Sequence, residues 1–394
     1  MSDLLNGRWQ ETKEALLEGL NGTRRSSMSV TLENTRKYLA ESASAGATSA
    51  GNVATLNRVI LPVIRRVMPT VIANELVGVQ PMTGPVGQIH TLRVRYSDTS
   101  AGAGVLAGEE ALSPFKIAAS YSGNESAAFP PGPRAGSTAT LEGAAGKRMS
   151  IQILKQVVEA KTRKLSARWT FEAAQDAQAQ QGIDIEAEIM AALAQEITAE
   201  IDQEILGSLR SLAGTAVETY NQAAVSGTAT FVGDEHAALA VQINRAANLI
   251  AQRTRRGAGN YAVVSPMALT ILQSATTSAF ARTTEGTFEA PTNTKFVGTL
   301  NSAMRVYVDS YASDSTGVLI GYKGSSESDA PAFYCPYIPL MSSGVVLDPS
   351  TFEPVVSFMT RYGYVELTNT ASSLGNAADY LANVAITNAN VRFS

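Results

Sequence analysis

The side chains able to carry acid–base, nucleophilic or metal chemistry are few. His90, His236 and Cys335 are the only histidines and the only cysteine in 394 residues. One cysteine allows no intrachain disulfide and no thiolate cage. A histidine-based zinc site would need both histidines plus a carboxylate at helical or hairpin spacing, and the sequence offers none. A serine hydrolase would need one of them as its base. His90 enters an alternating segment, His236 opens a helical one, and neither accompanies a Gly-x-Ser-x-Gly elbow. Cys335 sits between Tyr334 and Pro336 in an apolar run, which predicts a buried, inert thiol. Gly102, Gly104 and Gly108 are spaced one residue too long for a dinucleotide loop, and no phosphate loop ending in Gly-Lys-Ser/Thr occurs. The expectation is no cofactor, no metal and no enzyme.

What remains is charge and its placement. Thirty-one basic against 35 acidic residues give −4, which argues against a strongly basic nucleic-acid binder. Only 17% of residues are charged, against roughly 25% for an average soluble domain. So charge-poor a chain has a large core or hides surface against neighbours. Arg93 and Arg95 alternate with Leu92, Val94 and Tyr96, while Lys161, Arg163, Lys164 and Arg168 interleave with Leu165, Ala167 and Trp169. Glu196, Glu200 and Glu204 form a row of like charge at helical spacing, which costs a few tenths of a kcal/mol per pair unless something basic meets it. Two readings stay open: solvated faces, or a basic arm that meets the acidic row.

The elements that must position these charges follow from periodicity. Arg8–Leu20 and Thr31–Glu41 have helical spacing, with a link at 21–27 between them and a Ser/Ala/Gly linker at 42–51 behind them. Thr91–Tyr96 and Val157–Trp169 alternate as strands on either side of a Gly/Pro-rich stretch at 97–148. The simplest geometry is one long two-stranded arm with a loose tip. Asp184 caps a helix in which Ile185, Ile189, Leu193, Ile197, Ile201, Ile205 and Leu209 recur every four residues. From 184 to 212, at ~1.5 Å per residue, it is roughly 43 Å long, a strut for a whole domain. Helices over Glu235–Arg256 and from Pro266 follow, with strands at Tyr261–Ser265, Arg305–Ser310, Val318–Tyr322, Ala332–Leu340 and Val355–Leu367. No apolar run reaches the roughly 18 residues of a membrane span. The first residues lack an apolar signal core, so an intracellular, self-associating protein is expected.

Specific stretches then resemble a known family. Leu76–Gly87 running into Leu92–Tyr96, Trp169–Asp176, Gly182–Asp184 continuing to Asp202–Ile205, Phe296–Leu300, Arg305–Ser310, Gly321–Gly324 with Ala332–Leu340, and Thr360–Gly363 resemble, in that order, the major capsid proteins of T-even-like tailed phages. The resemblance implies an α+β chain of the Hong Kong 97-type capsid fold. Its parts would be an N-terminal arm (1–66), an extended loop (88–165), a peripheral domain (67–87, 150–234 and 346–394) on a spine helix at 184–212, and an axial domain (235–345). The loop is too short for the extra inserted domain of T-even members.

It further implies self-assembly into hexamers and pentamers of an icosahedral head around double-stranded DNA. The implied partners are further capsid, vertex, portal and scaffold proteins, a prohead protease and non-specifically held DNA, with no membrane. A cellular nanocompartment shell around cargo enzyme is the alternative. Family members are trimmed after Leu- or Ile-x-Glu, a pattern that only Glu18 and Glu41 complete here. Cleavage after Glu41 is expected, with residues 1–41 meeting the scaffold. Arg93, Arg95, Lys161 and Arg163 are expected to meet Glu196, Glu200 and Glu204 of a neighbouring subunit.

Overall fold

A computed structural model describes residues 9–10, 13–17, 20, 22–45, 72–111, 118, 121–123, 135–136, 138–143, 145–181, 184–222, 232–254, 256–275, 280–282, 295–313, 316–325, 329–351, 353–368 and 376–387. From the N-terminus the elements run α1 (Gly22–Ala45), α2 (Ala73–Leu76), β1 (Gly78–Val79), β2 (Val86–Tyr96), α3 (Thr138–Leu141), β3 (Met149–Glu159), β4 (Lys161–Arg168), α4 (Phe171–Gln181) and α5 (Ile185–Ala213). There follow β5 (Glu218–Asn221), α6 (Val232–Thr254), β6 (Tyr261–Val264), α7 (Pro266–Ser274), β7 (Phe280–Arg282), β8 (Lys295–Leu300), β9 (Met304–Val308), β10 (Val318–Gly321), β11 (Ala332–Ser342), β12 (Val346–Leu347), β13 (Pro354–Glu366) and β14 (Leu381–Thr387). The mixture is α+β, as the sequence led one to expect.

Helix α5 organises the molecule. The Asp184 carboxylate accepts from the Glu186 N–H at 3.1 Å and so caps the first turn. Gly214, at φ +62°, closes the last turn. Between them the four-residue stripe does what its spacing demands: Leu193, Ile197, Ile201, Ile205 and Leu209 are all buried. They share a core with Val356, Phe358 and Tyr362 of β13, with Leu340 of β11 and with Leu76 of α2.

Two sheets flank that helix. The five-stranded sheet runs β1-β11-β13-β12, with β4 also paired to β13. The seven-stranded sheet runs β5-β14-β10-β6-β9-β8-β7. In the latter, strand alternation divides the side chains between two cores. Tyr261, Val263, Tyr307 and Leu319 join the core of α5, whereas Ala262, Val264, Val306 and Ile320 join Leu239, Ile243 and Ile250 of α6 and Ile271 of α7. Strand β6 is therefore buried on both faces, which is why it reads as an unbroken apolar run.

Pairing redraws two expected boundaries. Strand β11 falls inside the expected axial segment 235–345 but pairs with β13 in the five-stranded sheet. Strands β5 and β14, expected in the peripheral segments, pair with each other and complete the seven-stranded sheet. Linear order does not reveal which sheet edge a returning strand joins, because pairing is a contact between residues far apart in sequence.

The arm is also redrawn. Strand β2 pairs along its full length with β3, Arg93 opposite Gln152 and Arg95 opposite Ser150, and not with the basic strand around Lys161 and Arg163. That strand, β4, pairs with β13. The Ala160 N–H bonds to the Pro85 carbonyl at the root of the β2–β3 ribbon, and the chain then steps into the five-stranded sheet. Where described, the far end of the ribbon is packed. Tyr96, Val105, Ala111 and Tyr121 form a small core there. The Tyr121 hydroxyl donates to the Arg148 carbonyl at 2.6 Å, and Asp98 accepts from the Arg148 N–H at 2.8 Å.

The N-terminal link is helical too. Residues 21–27 were expected to separate two helices, yet α1 runs unbroken from Gly22 to Ala45. Ser27, Met28, Thr31, Leu32 and Asn34 are buried along one of its faces, and that packing holds the helix through a stretch with little periodicity of its own. The expected Ser/Ala/Gly linker begins as helix at Ser42–Ala45; its remainder lies outside the described residues.

Candidate assembly interface

The charged residues singled out by spacing meet different fates. Arg163, on β4, places its guanidinium across α5. Nη1 donates to Glu200 at 2.8 Å, Nη2 to Glu204 at 2.5 Å, and Nε to the Tyr362 hydroxyl at 2.6 Å. The Tyr362 hydroxyl also donates to Glu204. Burial pushes the Glu204 carboxyl up, but the hydrogen bonds from Arg163 and Tyr362, aided by the nearby charge of Lys161, hold it below the usual carboxylate range. Burial likewise works against the Arg163 cation, and the same bonds more than offset it. The basic strand and the acidic row therefore meet within one subunit, not across two as expected. They do so because β4 is a neighbour of β13 in the sheet that α5 packs on.

Glu196, one turn earlier, and Lys161 are exposed. Arg95 is 7% exposed, beside Glu110 in an isolated bridge, so it is a buried group of the ribbon and not a surface charge. Arg93 stands two residues earlier on β2, opposite Gln152. The trimming motif at Leu39-Ala40-Glu41 lies inside α1 and not in extended chain. Glu18 lies outside the described residues.

The ribbon carries a feature that the charge pattern did not reveal. Met149, Ile151, Ile153 and Val157 alternate along one face of β3 and are 49%, 69%, 65% and 52% exposed. Among the described residues no second layer covers this apolar row. Its signal is the strict alternation in Met149-Ser150-Ile151-Gln152-Ile153, which begins eight residues before the expected strand start at Val157.

A buried acidic pair sits where α5 meets α2 and the seven-stranded sheet. Asp202, 2% exposed, accepts from the Ile72 N–H at 2.8 Å. Asp309, fully buried, accepts from Gln203 Nε2 at 2.7 Å and lies 3.0 Å from Arg210 Nη1. Burial raises the Asp202 carboxyl to about 7; the Ile72 N–H pulls it down and the charge of Asp309 pushes it up.

His90, His236 and Cys335 stand on three different elements, β2, α6 and β11. Cys335 is buried, and burial pushes its thiol up to about 12. His90 is exposed on the ribbon. His236 is buried in α6 with Nδ1 2.5 Å from the Ser274 hydroxyl oxygen, and burial holds the imidazole below its usual range against the charge of Glu235. That serine hydroxyl donates to the Ile271 carbonyl, so the contact ties α6 to α7. Among the described residues no three His, Cys, Asp or Glu side chains gather to hold a metal ion, and no helix is long and apolar enough to cross a membrane.

Comparison with known proteins adds four findings. A family model described as major capsid protein Gp23 matches residues 53–142 and 132–391. The major capsid protein of Vibrio phage KVP40 is 31% identical, over 85% of this chain and 82% of that protein. The major capsid protein of Enterobacteria phage T4 is 30% identical, over 83% of this chain and 78% of its own length. Among solved structures, the capsid of Myoviridae Phage XM1 overlaps with a TM-score of 0.46 at 11% identity, covering 80% of this chain and 92% of that one, a likeness too loose to build on.

Proposed function

The chain belongs to the major capsid protein Gp23 family of tailed phages, and we propose that it closes the head through its β2–β3 ribbon. As a capsid protein it is part of the virion head and assembles with copies of itself. In our reading the subunits form hexamers and pentamers of an icosahedral shell of the Hong Kong 97 type around double-stranded DNA. The α5 strut serves as spine and the ribbon as extended loop. The observation that carries this is the exposed row Met149, Ile151, Ile153 and Val157: an apolar face left open on a projecting ribbon is covered when a neighbouring subunit lies against it. Family membership favours this phage head over a cellular nanocompartment.

Scaffold, vertex and portal proteins meet the shell during assembly in the host bacterial cytoplasm, and the role is structural and not catalytic. A prohead protease trims the chain after Glu41. The charge pairing between subunits contracts to Arg93 on the ribbon and Glu196 on a neighbouring spine helix, because Arg163 is already engaged and Arg95 is buried. Sedimentation and electron microscopy of the purified chain test the whole. Megadalton shells or free capsomers are expected, and a monomer or small dimer at all concentrations refutes the reading. The intact mass of the chain in mature particles tests trimming, and a full-length mass refutes it.

A further inference from the structure

Helix α1 lies in a groove of the subunit body. Met28 and Leu32, one turn apart, are 2% and 0% exposed and join the core that contains Leu76 and Leu340. The Asn34 amide donates to the Met82 carbonyl at 2.6 Å and to the Tyr337 carbonyl at 3.1 Å. Arg24 pairs with Glu75 on α2, and Glu75 also accepts from Arg305 at 2.9 Å and from the Tyr307 hydroxyl at 3.2 Å. The groove thus presents an apolar floor, two carbonyls and a carboxylate. What reads them is a helix with a cation, two apolar side chains and an amide at positions i, i+4, i+8 and i+10. That is the helix-in-groove mode of peptide recognition, here between two parts of one chain.

We propose that this groove is a helix-binding site in its own right and that residues 22–45 of this chain are its ligand, held without need of the covalent link. A cut between α1 and α2 then leaves the N-terminal segment bound, and a second event must displace it. Cutting removes only the high effective concentration that the tether supplies; the contacts stay. The consequence for trimming rests on the reading above: after cleavage at Glu41, residues 1–41 remain on the subunit until something competes for the groove. The chemistry fixes the competitor's class, a helix with the same four anchors.

A test independent of the natural cut inserts a site-specific protease sequence between Gly51 and Asn52 of the full chain. The purified protein is cut and run on a sizing column in native buffer, and the fractions are weighed by mass spectrometry. The fragment is expected to travel with the body. A labelled peptide of residues 20–45 is expected to exchange into the cut protein and not into the uncut one. Asn34→Ala and Arg24→Glu are expected to speed release about threefold to tenfold, since each removes polar anchoring and leaves the apolar floor intact. Prompt loss of the fragment on cutting, failure of the peptide to exchange, or unchanged release from both variants overturns the proposal. Failure of cleavage at Glu41 alone would touch only the trimming reading.

Discussion

Arg163 Nη1 lies 2.8 Å from Glu200, so the strand leaving the ribbon is fastened to the spine helix inside a single subunit. The second arm of the same guanidinium takes Glu204, and the two carboxylates stand one helical turn apart. The row of like charge thus gains the basic partner it needs, and a two-pronged donor suits it better than a lysine would. Arg163→Ala is expected to lower subunit stability by about 1–2 kcal/mol. The carboxylates are 41–43% exposed, so solvent screening trims the effect. Urea midpoints at low and high salt measure this. Arg163→Lys should recover only part of the loss, and an unchanged midpoint in the alanine variant would show the contact to be energetically idle.

The buried Asp202 sets a pH dependence. Its folded value of about 7 stands above the roughly 3.9 of an unfolded aspartate. The folded state therefore holds the extra proton between those two values, and stability falls as pH rises through that window. Above it, the cost of the buried charge is fully present, on the order of 4 kcal/mol at most. The groups facing Asp202 are the Ile72 N–H, Asp309 with its partner Arg210, and Tyr334 of β11. Asp202→Asn keeps an acceptor for Ile72 and removes the charge. It should flatten the dependence and raise the melting temperature at pH 8 more than at pH 5. Parallel melting curves for the two proteins across that range would reject the assignment.

Gly321 has no room for a side chain. A Cβ there would collide with the ring and hydroxyl of Tyr261, the residue opposite it on β6. Tyr261 is 2% exposed and cannot swing out without opening the core between the sheet and α5. Gly321→Ala is expected to cost about 1–3 kcal/mol by overpacking. A chemical denaturation curve decides it, and a neutral result would mean that β10 shifts freely against β6.

The ribbon's apolar row separates assembly from folding. Ile151→Asp with Ile153→Asp replaces two side chains that are exposed in the lone subunit. Subunit stability should change by less than about 0.5 kcal/mol, as for other exposed positions. Particle yield by electron microscopy should fall at least tenfold, because two carboxylates would be desolvated at every contact. Normal yield from this variant would exclude the row as an assembly surface.

Spacing alone determined the elements that draw on local physics. The four-residue apolar stripe with Asp184 before it fixed α5 to within a residue or so at either end, since capping and burial of one face are properties of a short window. Pro266 at the start of α7 and the buried Cys335 were legible for the same reason. The ordered set of family-like segments carried the function. Tertiary structure alone decided which strands are neighbours: that β2 takes β3 and not β4, that β11 leaves the expected axial segment, and that β5 and β14 close the larger sheet. It also decided that Arg163 meets Glu200 and Glu204 at home, that Arg95 is buried, and that α1 fills a groove. Charge and periodicity say what a side chain can pair with. Only the path of the chain, bringing residues 37 or 303 positions apart into contact, says with which one it does.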